Sequence, residues 1–365
     1  MSFGARALVR LGALKQNFEV LRSKAPNAKI MAVIKANAYG HGMLAVAHSL
    51  PDVDAFAVAR VPEALLLREN GIDATIVLLA GVIDREELQA AIDGDFQPVV
   101  HCMEQVELLR SCSSGAVSIW LKFDTGMNRL GFDPKLAAGL IEQLQAMPSV
   151  REIRLMTHLS SADELGNEVT NVQLQQFQKI AKSFEGAISV GNSAGAVGWP
   201  AVIADSKDIA KDNWIRPGIA LFGISPFADK SAADLGLLPV MQFEARLIAV
   251  KPLAKGEYVG YKRAYQSEAD TMLGIISAGY GDGYSRHFRT GTPVLLNGRK
   301  VPVIGNVSMD MIAVDLGTDA GDQVGDIAIL WGDGLPVEEV APWASAIPYE
   351  LVCGVMHREV SEVIE

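Results

Sequence analysis

KIMAVIKA (29–36) opens the series of short β-branched runs that decides the fold. It is followed by DAFAVA (54–59), TIVLLA (75–80), FQPVV (96–100), VSIWLKF (117–123), IRLMTH (153–158), AISVGN (187–192) and NWIRPG (213–218). Amphipathic stretches separate most of these runs, among them PEALLLREN, DREELQAAI, MEQVELLR, PKLAAGLIEQLQAM and NVQLQQFQKIAKSF. Strand and helix therefore alternate, the pattern of parallel βαβ units. Eight such units in roughly 200 residues suit a closed (β/α)8 barrel of the TIM type. An open doubly wound sheet usually has fewer strands and a glycine-rich dinucleotide turn, and no such fingerprint follows the early strands.

Outward from this series the rhythm changes at both ends. RALVR (6–10) alternates as a strand does, and Leu11, Leu14, Phe18 and Leu21 then follow at helical spacing. Beyond about residue 236, extended runs such as LLPVMQFEARLIAV, YKRAYQ, TMLGIISAGY, TPVLLNGRKVPVI, SMDMIAVDL and DIAILW are parted by Gly, Asp and Pro turns. Helical signal returns only around PVEEVAPWA. The expectation is an α/β barrel over residues 12–236 and a mostly β domain over 237–365, which the N-terminal strand 1–11 joins. No low-complexity or Pro/Ser-rich linker intervenes, so the two parts are expected to pack directly together.

Composition narrows the function classes. With 32 Lys plus Arg against 43 Asp plus Glu, the net charge of -11 argues against a nucleic-acid partner. It does not exclude a small anionic ligand, which a few cations and backbone N–H groups can hold on any protein. The longest apolar run, around TIVLLAGVI, is about half of what a membrane helix needs. The N-terminus MSFGARALVRLGALKQNF has no apolar stretch of signal length. No membrane partner and a cytoplasmic location are therefore expected. Cys102, Cys112 and Cys353 are too few for a disulfide scaffold and lack metal-ligand spacing, so each is expected to be a buried, reduced thiol and no metal site is expected.

In a barrel of this kind the active site lies at the C-terminal ends of the strands. Lys35 closes the first run, Lys122 the fifth, His158 the sixth, Asn192 and Ser193 the seventh and Arg216 the eighth, while Arg129 follows the fifth in DTGMNRLG. A single lysine at a strand end is commonly a solvated charge. Two lysines, two arginines and a histidine at one barrel mouth would repel one another unless an anion sat among them. Pyridoxal phosphate is such an anion, and it uses a lysine as its covalent anchor. The glycines of YGHG and RPGI would each read alone as turn residues. RPGI nonetheless falls after the eighth strand, where such barrels frequently bind phosphate. Tyr280, Tyr284 and Tyr349 are ambiguous between packing and function.

Nine motifs in order carry a resemblance: AVIKANAYGHG (32–42), KFDTGMNRLGF (122–132), MTHLSSAD (156–163), NSAG (192–195), IRPGIALFG (215–223), GYK (260–262), AGYGDGY (278–284), VSMDM (307–311) and IPYELVCG (347–354). On these the chain resembles the alanine racemases along nearly its whole length. The resemblance implies a pyridoxal 5'-phosphate enzyme that interconverts L- and D-alanine by two-base proton transfer through a cofactor aldimine, serving or consuming D-alanine, a peptidoglycan precursor. It implies a homodimer with active sites shared between subunits. Lys35 would be the Schiff-base lysine and one base, and Tyr261 of the partner subunit the other. Tyr39, Ser193, Tyr349 and the backbone at Gly218 and Ile219 would hold the phosphate, with Asn192 and His158 also at the cofactor. Arg216 would face the pyridine nitrogen. Arg129 would lie near the ring hydroxyl and the substrate carboxylate, and Met309 of the partner subunit at the substrate.

Physical chemistry makes those roles coherent. Racemisation removes the α-proton from one face of a planar centre and returns it on the other, which two opposed bases do directly. Tyrosine is a weak base at its ordinary pKa of about 10, so Tyr261 requires neighbours that stabilise a phenolate, a role the family gives to His158 and Arg216. An arginine at the ring nitrogen stays protonated and discourages protonation of the ring. Lys122 matches a lysine that the family often carries as a carbamate, which would turn repulsion from Arg129 into an ion pair. A neutral or solvated lysine remains the other reading of that residue.

Several positions depart from the family's usual pattern: Lys262 after Tyr261, Gly281 in AGYGDGY, Asn306 in GNVSMD, and the tail MHREVSEVIE. They bear on substrate breadth and on the dimer. The alternatives are a racemase of the same fold preferring serine or another small amino acid, a decarboxylase, whose motifs differ and whose chains are longer, and a non-catalytic pyridoxal phosphate carrier. The carrier reading requires no second domain, yet residues 237–365 contain Tyr261, Met309 and Tyr349.

Overall fold

A computed structural model describes residues 4–199, 212–318, 320–355 and 360–364. The eight runs form a closed barrel in sequence order: β2 (Ala28–Val33), β3 (Ala55–Val58), β4 (Thr75–Leu78), β5 (Phe96–Val100), β6 (Val117–Lys122), β7 (Val150–Met156), β8 (Ile188–Ser189) and β9 (Asn213–Ile215). All neighbours are parallel, and β2 closes on β9 with Ala28 opposite Asn213 and Ile30 opposite Ile215. β3 and β6 are buried along their whole length, as both faces of a helix-covered parallel sheet must be. Continuous rather than alternating apolar residues in these runs are the cause.

The helices lie between the strands where amphipathic spacing places them, for example Val61–Glu69, Arg85–Asp93, Met103–Arg110 and Glu168–Ala181. Asp84 caps the second by accepting from the Glu87 amide at 2.8 Å, and Asn167 caps the last by accepting from the Val169 amide at 2.9 Å.

The remaining strands are β1 (Arg6–Arg10), β10 (Met241–Leu253), β11 (Tyr258–Val259), β12 (Tyr265–Gln266), β13 (Thr271–Ile276), β14 (Pro293–Leu296), β15 (Arg299–Pro302), β16 (Ile312–Gly317), β17 (Ile327–Trp331) and β18 (Val360–Ile364). One sheet runs β15-β14-β17-β10-β1-β18, with β13 and β16 branching from β10. β1 lies antiparallel to β10 and parallel to β18, so both ends of the chain meet in this sheet. From β1 the chain passes straight into helix α1 (Leu11–Lys24), whose Leu14, Phe18 and Leu21 are buried. Among the described residues one large apolar cluster runs through the barrel and the sheet, and a separate small one of Leu253, Val259, Leu273 and Ile304 lies in the β domain. Among the described residues no helix is long and apolar enough to cross a membrane.

Three expectations fail locally. Helix in the second domain is not confined to PVEEVAPWA, because Pro348–Cys353 is helical too, started by the proline in its first turn. YKRAYQ is not an extended run: Tyr261–Arg263 is a tight turn with Lys262 and Arg263 at φ of 59° and 52°, and only Tyr265–Gln266 continues as strand. The cysteines are not buried thiols either, since Cys102 and Cys112 are partly exposed and Cys353 is exposed. Cys102 precedes a helix and Cys353 ends one at the barrel mouth, positions that packing does not close. Of the tail MHREVSEVIE, residues 356–359 and 365 lie outside the described residues.

Candidate active site

Lys35 leaves β2 at its C-terminal end and the backbone then turns in an unusual way. Ala36, Asn37, Ala38 and Tyr39 all have φ between 52° and 55°, one turn of left-handed helix built without glycine. Each such residue costs roughly 1 kcal/mol or more, so surrounding bonds must hold the turn. The Glu63 carboxylate accepts from the Ala36 amide at 2.8 Å, and the Asn37 side chain accepts from the Met43 amide at 2.9 Å. At Gly40 a Cβ would meet the Val352 carbonyl at 2.1 Å. Glycine there lets the helix Pro348–Cys353 of the second domain pack onto the turn, which brings the rings of Tyr39 and Tyr349 within 6.1 Å.

Arg216 follows β9 and is buried. Its guanidinium donates to the Thr157 carbonyl at 2.6 Å, the Val190 carbonyl at 3.3 Å and the Ser189 hydroxyl, and reaches His158 Nδ1 at 3.4 Å. Burial pulls its pKa down to about 10, which leaves it charged at neutral pH. His158 is pulled down to about 2, by burial first and then by Arg216, Lys122, Arg129 and Lys35. It is a neutral imidazole.

The two lysines respond in the same way. Burial, then Arg216 and Arg129, bring Lys122 down to about 8, against a smaller opposing pull from Asp124. Burial and Arg129 lower Lys35, while Glu63 and Cys353 oppose them. Every cation in the group thus destabilises another.

Arg129 is positioned by a loop closed on one side chain. The Asp124 carboxylate accepts from the amides of Gly126 at 2.9 Å, Asn128 at 3.0 Å and Arg129 at 2.9 Å. Partial burial pushes that carboxyl up, but the amide bonds together outweigh it and hold it below its ordinary pKa. Gly131 permits the return, because a Cβ there would lie 2.5 Å from the Asp124 amide nitrogen.

Across the mouth, the Ser193 hydroxyl accepts from the Gly218 amide at 2.9 Å and the Ala220 amide at 3.3 Å. Asn192 caps the short helix Ser193–Gly198, accepting from the Gly195 amide at 2.9 Å. A Cβ on Gly218 would sit 2.4 Å from the Tyr39 hydroxyl, so only glycine admits the backbone this close to the phenol. The Val33 amide donates to the Pro217 carbonyl at 2.9 Å, tying the Lys35 strand to this cradle. Burial raises the pKa of Tyr39, and that of Tyr349 to about 12, so both stay protonated donors.

Residues 9–226 match the family described as alanine racemase, N-terminal domain, and residues 240–363 match alanine racemase, C-terminal domain. The chain belongs to the alanine racemase family. It is 46% identical over 356 residues to the alanine racemase of Aliivibrio salmonicida, covering 97% of each chain, and 47% identical over 349 residues to that of Shewanella sediminis, covering 95% of each. It superposes on the crystal structure of biosynthetic alanine racemase from Pseudomonas aeruginosa with a TM-score of 0.94 at 39% identity, over all of both chains.

Within this alanine racemase fold the sequence-predicted residues divide into two groups. Lys35, Tyr39, Lys122, Arg129, His158, Asn192, Ser193, Arg216, Gly218, Ile219 and Tyr349 line one barrel mouth or its immediate support. Tyr261 and Met309 stand on the β domain, 71% and 52% exposed, and neither is hydrogen-bonded to the cationic cluster through its side chain.

Sequence reasoning missed Glu63, Asp124, Thr157, Ser189 and the Ala220 amide. Glu63 carried only part of a helix-start signal, an acidic residue right after Pro62 in the first turn, because Arg60 is not a capping residue; in the structure its carboxylate reaches back to the Ala59 and Arg60 amides at 2.7 and 3.1 Å. Asp124 before Thr125 and Gly126 reads as a turn residue that bonds its own backbone. Nothing in the sequence separates Thr157 and Ser189 from ordinary strand residues.

Proposed function

We propose that the chain interconverts L-alanine and D-alanine with pyridoxal 5'-phosphate bound at the barrel mouth. The observation that carries this reading is the cluster itself: Lys35, Lys122, Arg129 and Arg216 converge beside a cradle of Ser193, Tyr39, Tyr349 and Gly218, and burial together with the neighbouring arginines lowers the pKa of both lysines. Those residues fit a phosphorylated carbonyl cofactor. The neutral phenols and the Ser193 hydroxyl would donate to the phosphate, and Gly218 gives it close backbone approach. Lys35 would be the covalent anchor, and its lowered pKa favours the free amine that such an anchor needs. When bound, pyridoxal phosphate withdraws electrons from the substrate α-carbon and so acidifies its proton.

The chain's own residues do the rest. Arg216, held by the Thr157 and Val190 carbonyls and the Ser189 hydroxyl, cannot easily turn, and it presents a fixed charge where the ring nitrogen would lie. Arg129, fixed through Asp124, would take the substrate carboxylate. Lys35 moves the proton on one face. Tyr261 of the partner subunit moves it on the other, in a homodimer whose shared sites also take Met309 of the partner subunit. The exposure of both side chains, with Met311 beside them, supports a partner covering that surface. Lys122, with its pKa near 8, keeps a share of nucleophilic amine that can take up carbon dioxide as a carbamate, replacing a cation beside Arg129 by an anion. Purified protein given L-alanine should yield the D isomer and show a visible cofactor band. Lys35→Ala should lose both the band and the turnover, and unimpaired racemisation by that variant would overturn the reading.

A further inference from the structure

Gln173 stands at a core position of the helix Glu168–Ala181, in one buried stripe with Thr170, Leu174 and Phe177. A glutamine at such a position must satisfy both ends of its amide, and its partners come from the barrel mouth. Oε1 accepts from the Ser160 amide at 2.9 Å and the Ser160 hydroxyl at 3.0 Å. Nε2 donates to the His158 carbonyl at 3.1 Å and the Thr125 hydroxyl at 3.4 Å. A backbone N–H only donates and a carbonyl only accepts, so these partners fix which end of the side chain is which.

From Thr125 the bonds run on in one direction. The Thr157 hydroxyl donates to the Phe123 carbonyl at 3.0 Å, so the Thr125 hydroxyl, 2.8 Å away, donates to Thr157. A buried chain thus passes from Gln173 through Thr125 to Thr157 and joins the helix to the ends of β6 and β7. Each link borders a site residue. Thr125 follows Asp124, whose carboxylate holds the Arg129 amide at 2.9 Å. The Thr157 carbonyl receives the Arg216 guanidinium at 2.6 Å. His158, whose own carbonyl Gln173 holds, lies 3.4 Å from that guanidinium through Nδ1.

We propose that Gln173 is a positioning residue for racemisation: its amide ties the loop that places Arg129 to the strand end that places His158 and Arg216, so that the three keep one register. The inference rests on the reading that Arg216 faces the ring nitrogen of the bound cofactor and Arg129 the substrate carboxylate. Two charges that grip opposite parts of one reacting assembly must hold their separation, and a small displacement of either costs rate. Gln173 reaches both from outside the mouth, through bonds that leave the cofactor cradle of Ser193, Gly218 and Ala220 to its own hydrogen bonds.

The test is Gln173→Met in the purified holoenzyme, a change that keeps the length of the side chain and removes both ends of the amide. Measured per cofactor-loaded site and well below the variant's Tm, kcat for alanine should fall about tenfold or more. The visible band of the bound cofactor should shift, because groups at the ring nitrogen tune its electronics, while cofactor affinity stays close to that of the wild type. A lowered Tm as the only change would reduce Gln173 to packing and overturn the proposal, as would a fall in kcat with the band unmoved or a loss of turnover that follows cofactor release alone. Should Gln173→Met fail to fold, Thr125→Val keeps the shape and cuts the chain in its middle. It should shift the band and lower kcat about threefold or more, and wild-type values of both would overturn the proposal. Wild-type and Lys35→Ala protein are assayed alongside: no alanine turnover by the wild type would sink the functional reading itself, whereas equal turnover by wild type and Gln173→Met would sink this inference alone.

Discussion

Raising the pH of the cofactor-free protein in buffer stripped of carbon dioxide should stabilise it, and Lys122 should be a principal reason. In the folded chain its pKa has dropped from 10.5 to about 8. Between those values the unfolded chain holds a proton that the folded chain has released, so the unfolded state binds more protons and stability rises with pH. Below about pH 8 both states carry the proton and the destabilisation is present in full. The drop corresponds to about 3 kcal/mol recovered between roughly pH 8 and pH 10.5. For a chain of 365 residues that amounts to about 4 °C in Tm. Lys122→Met removes the titrating group, so the wild-type Tm should climb relative to the variant's by that amount across the window. Calorimetry of both proteins at several pH values reads the difference directly. Parallel curves would refute the claim that burial and the neighbouring cations together strain the charged Lys122 in the cofactor-free chain. Bicarbonate added near pH 8 should raise the wild-type Tm and leave that of Lys122→Met unchanged, because only a carbamate converts the charge.

Two further substitutions probe the supports. Gly218→Ala places a methyl group 2.4 Å from the Tyr39 hydroxyl, closer than a real Cβ approaches, so one side must retreat. Overpacking of this kind costs about 1–3 kcal/mol, and cofactor affinity followed by absorbance titration should fall roughly tenfold or more; unchanged affinity would contradict the cradle. Asp124→Ala strands three amides and should cost about 1–3 kcal/mol of loop order. The KM for alanine should rise roughly tenfold with kcat less affected, and Asp124→Asn, which keeps an acceptor, should recover part of the loss; a KM equal to wild type in Asp124→Ala would dismiss the loop's role in placing Arg129.

The barrel was legible because its strands are buried on both faces and so read as continuous β-branched runs at regular spacing. The strand-end position of Lys35, Lys122, His158 and Arg216 followed from that register alone. The left-handed turn at 36–39 was not legible, since Ala and Tyr carry no signal for positive φ, the one tolerant residue, Asn37, announces at most a single left-handed position, and the conformation is imposed by Glu63 and by the helix Pro348–Cys353, far apart in sequence. YKRAYQ misled for the converse reason. Its aromatic and alternating residues suit a strand, yet the turn at Lys262 and Arg263 is held from outside, by Asn306 donating to the Tyr261 carbonyl at 3.2 Å. Second-layer groups such as Thr157 and Ser189 act through hydrogen bonds to Arg216 that no local pattern announces.

The central claim, two opposed proton carriers on one alanine, is tested most directly by turnover in deuterium oxide with Tyr261→Phe beside the wild type. Wild-type protein should convert either isomer into the other with deuterium at the α-carbon. Tyr261→Phe should keep the cofactor band, exchange the α-proton of one isomer only, and lose nearly all inversion. Inversion at the wild-type rate in Tyr261→Phe would contradict the account.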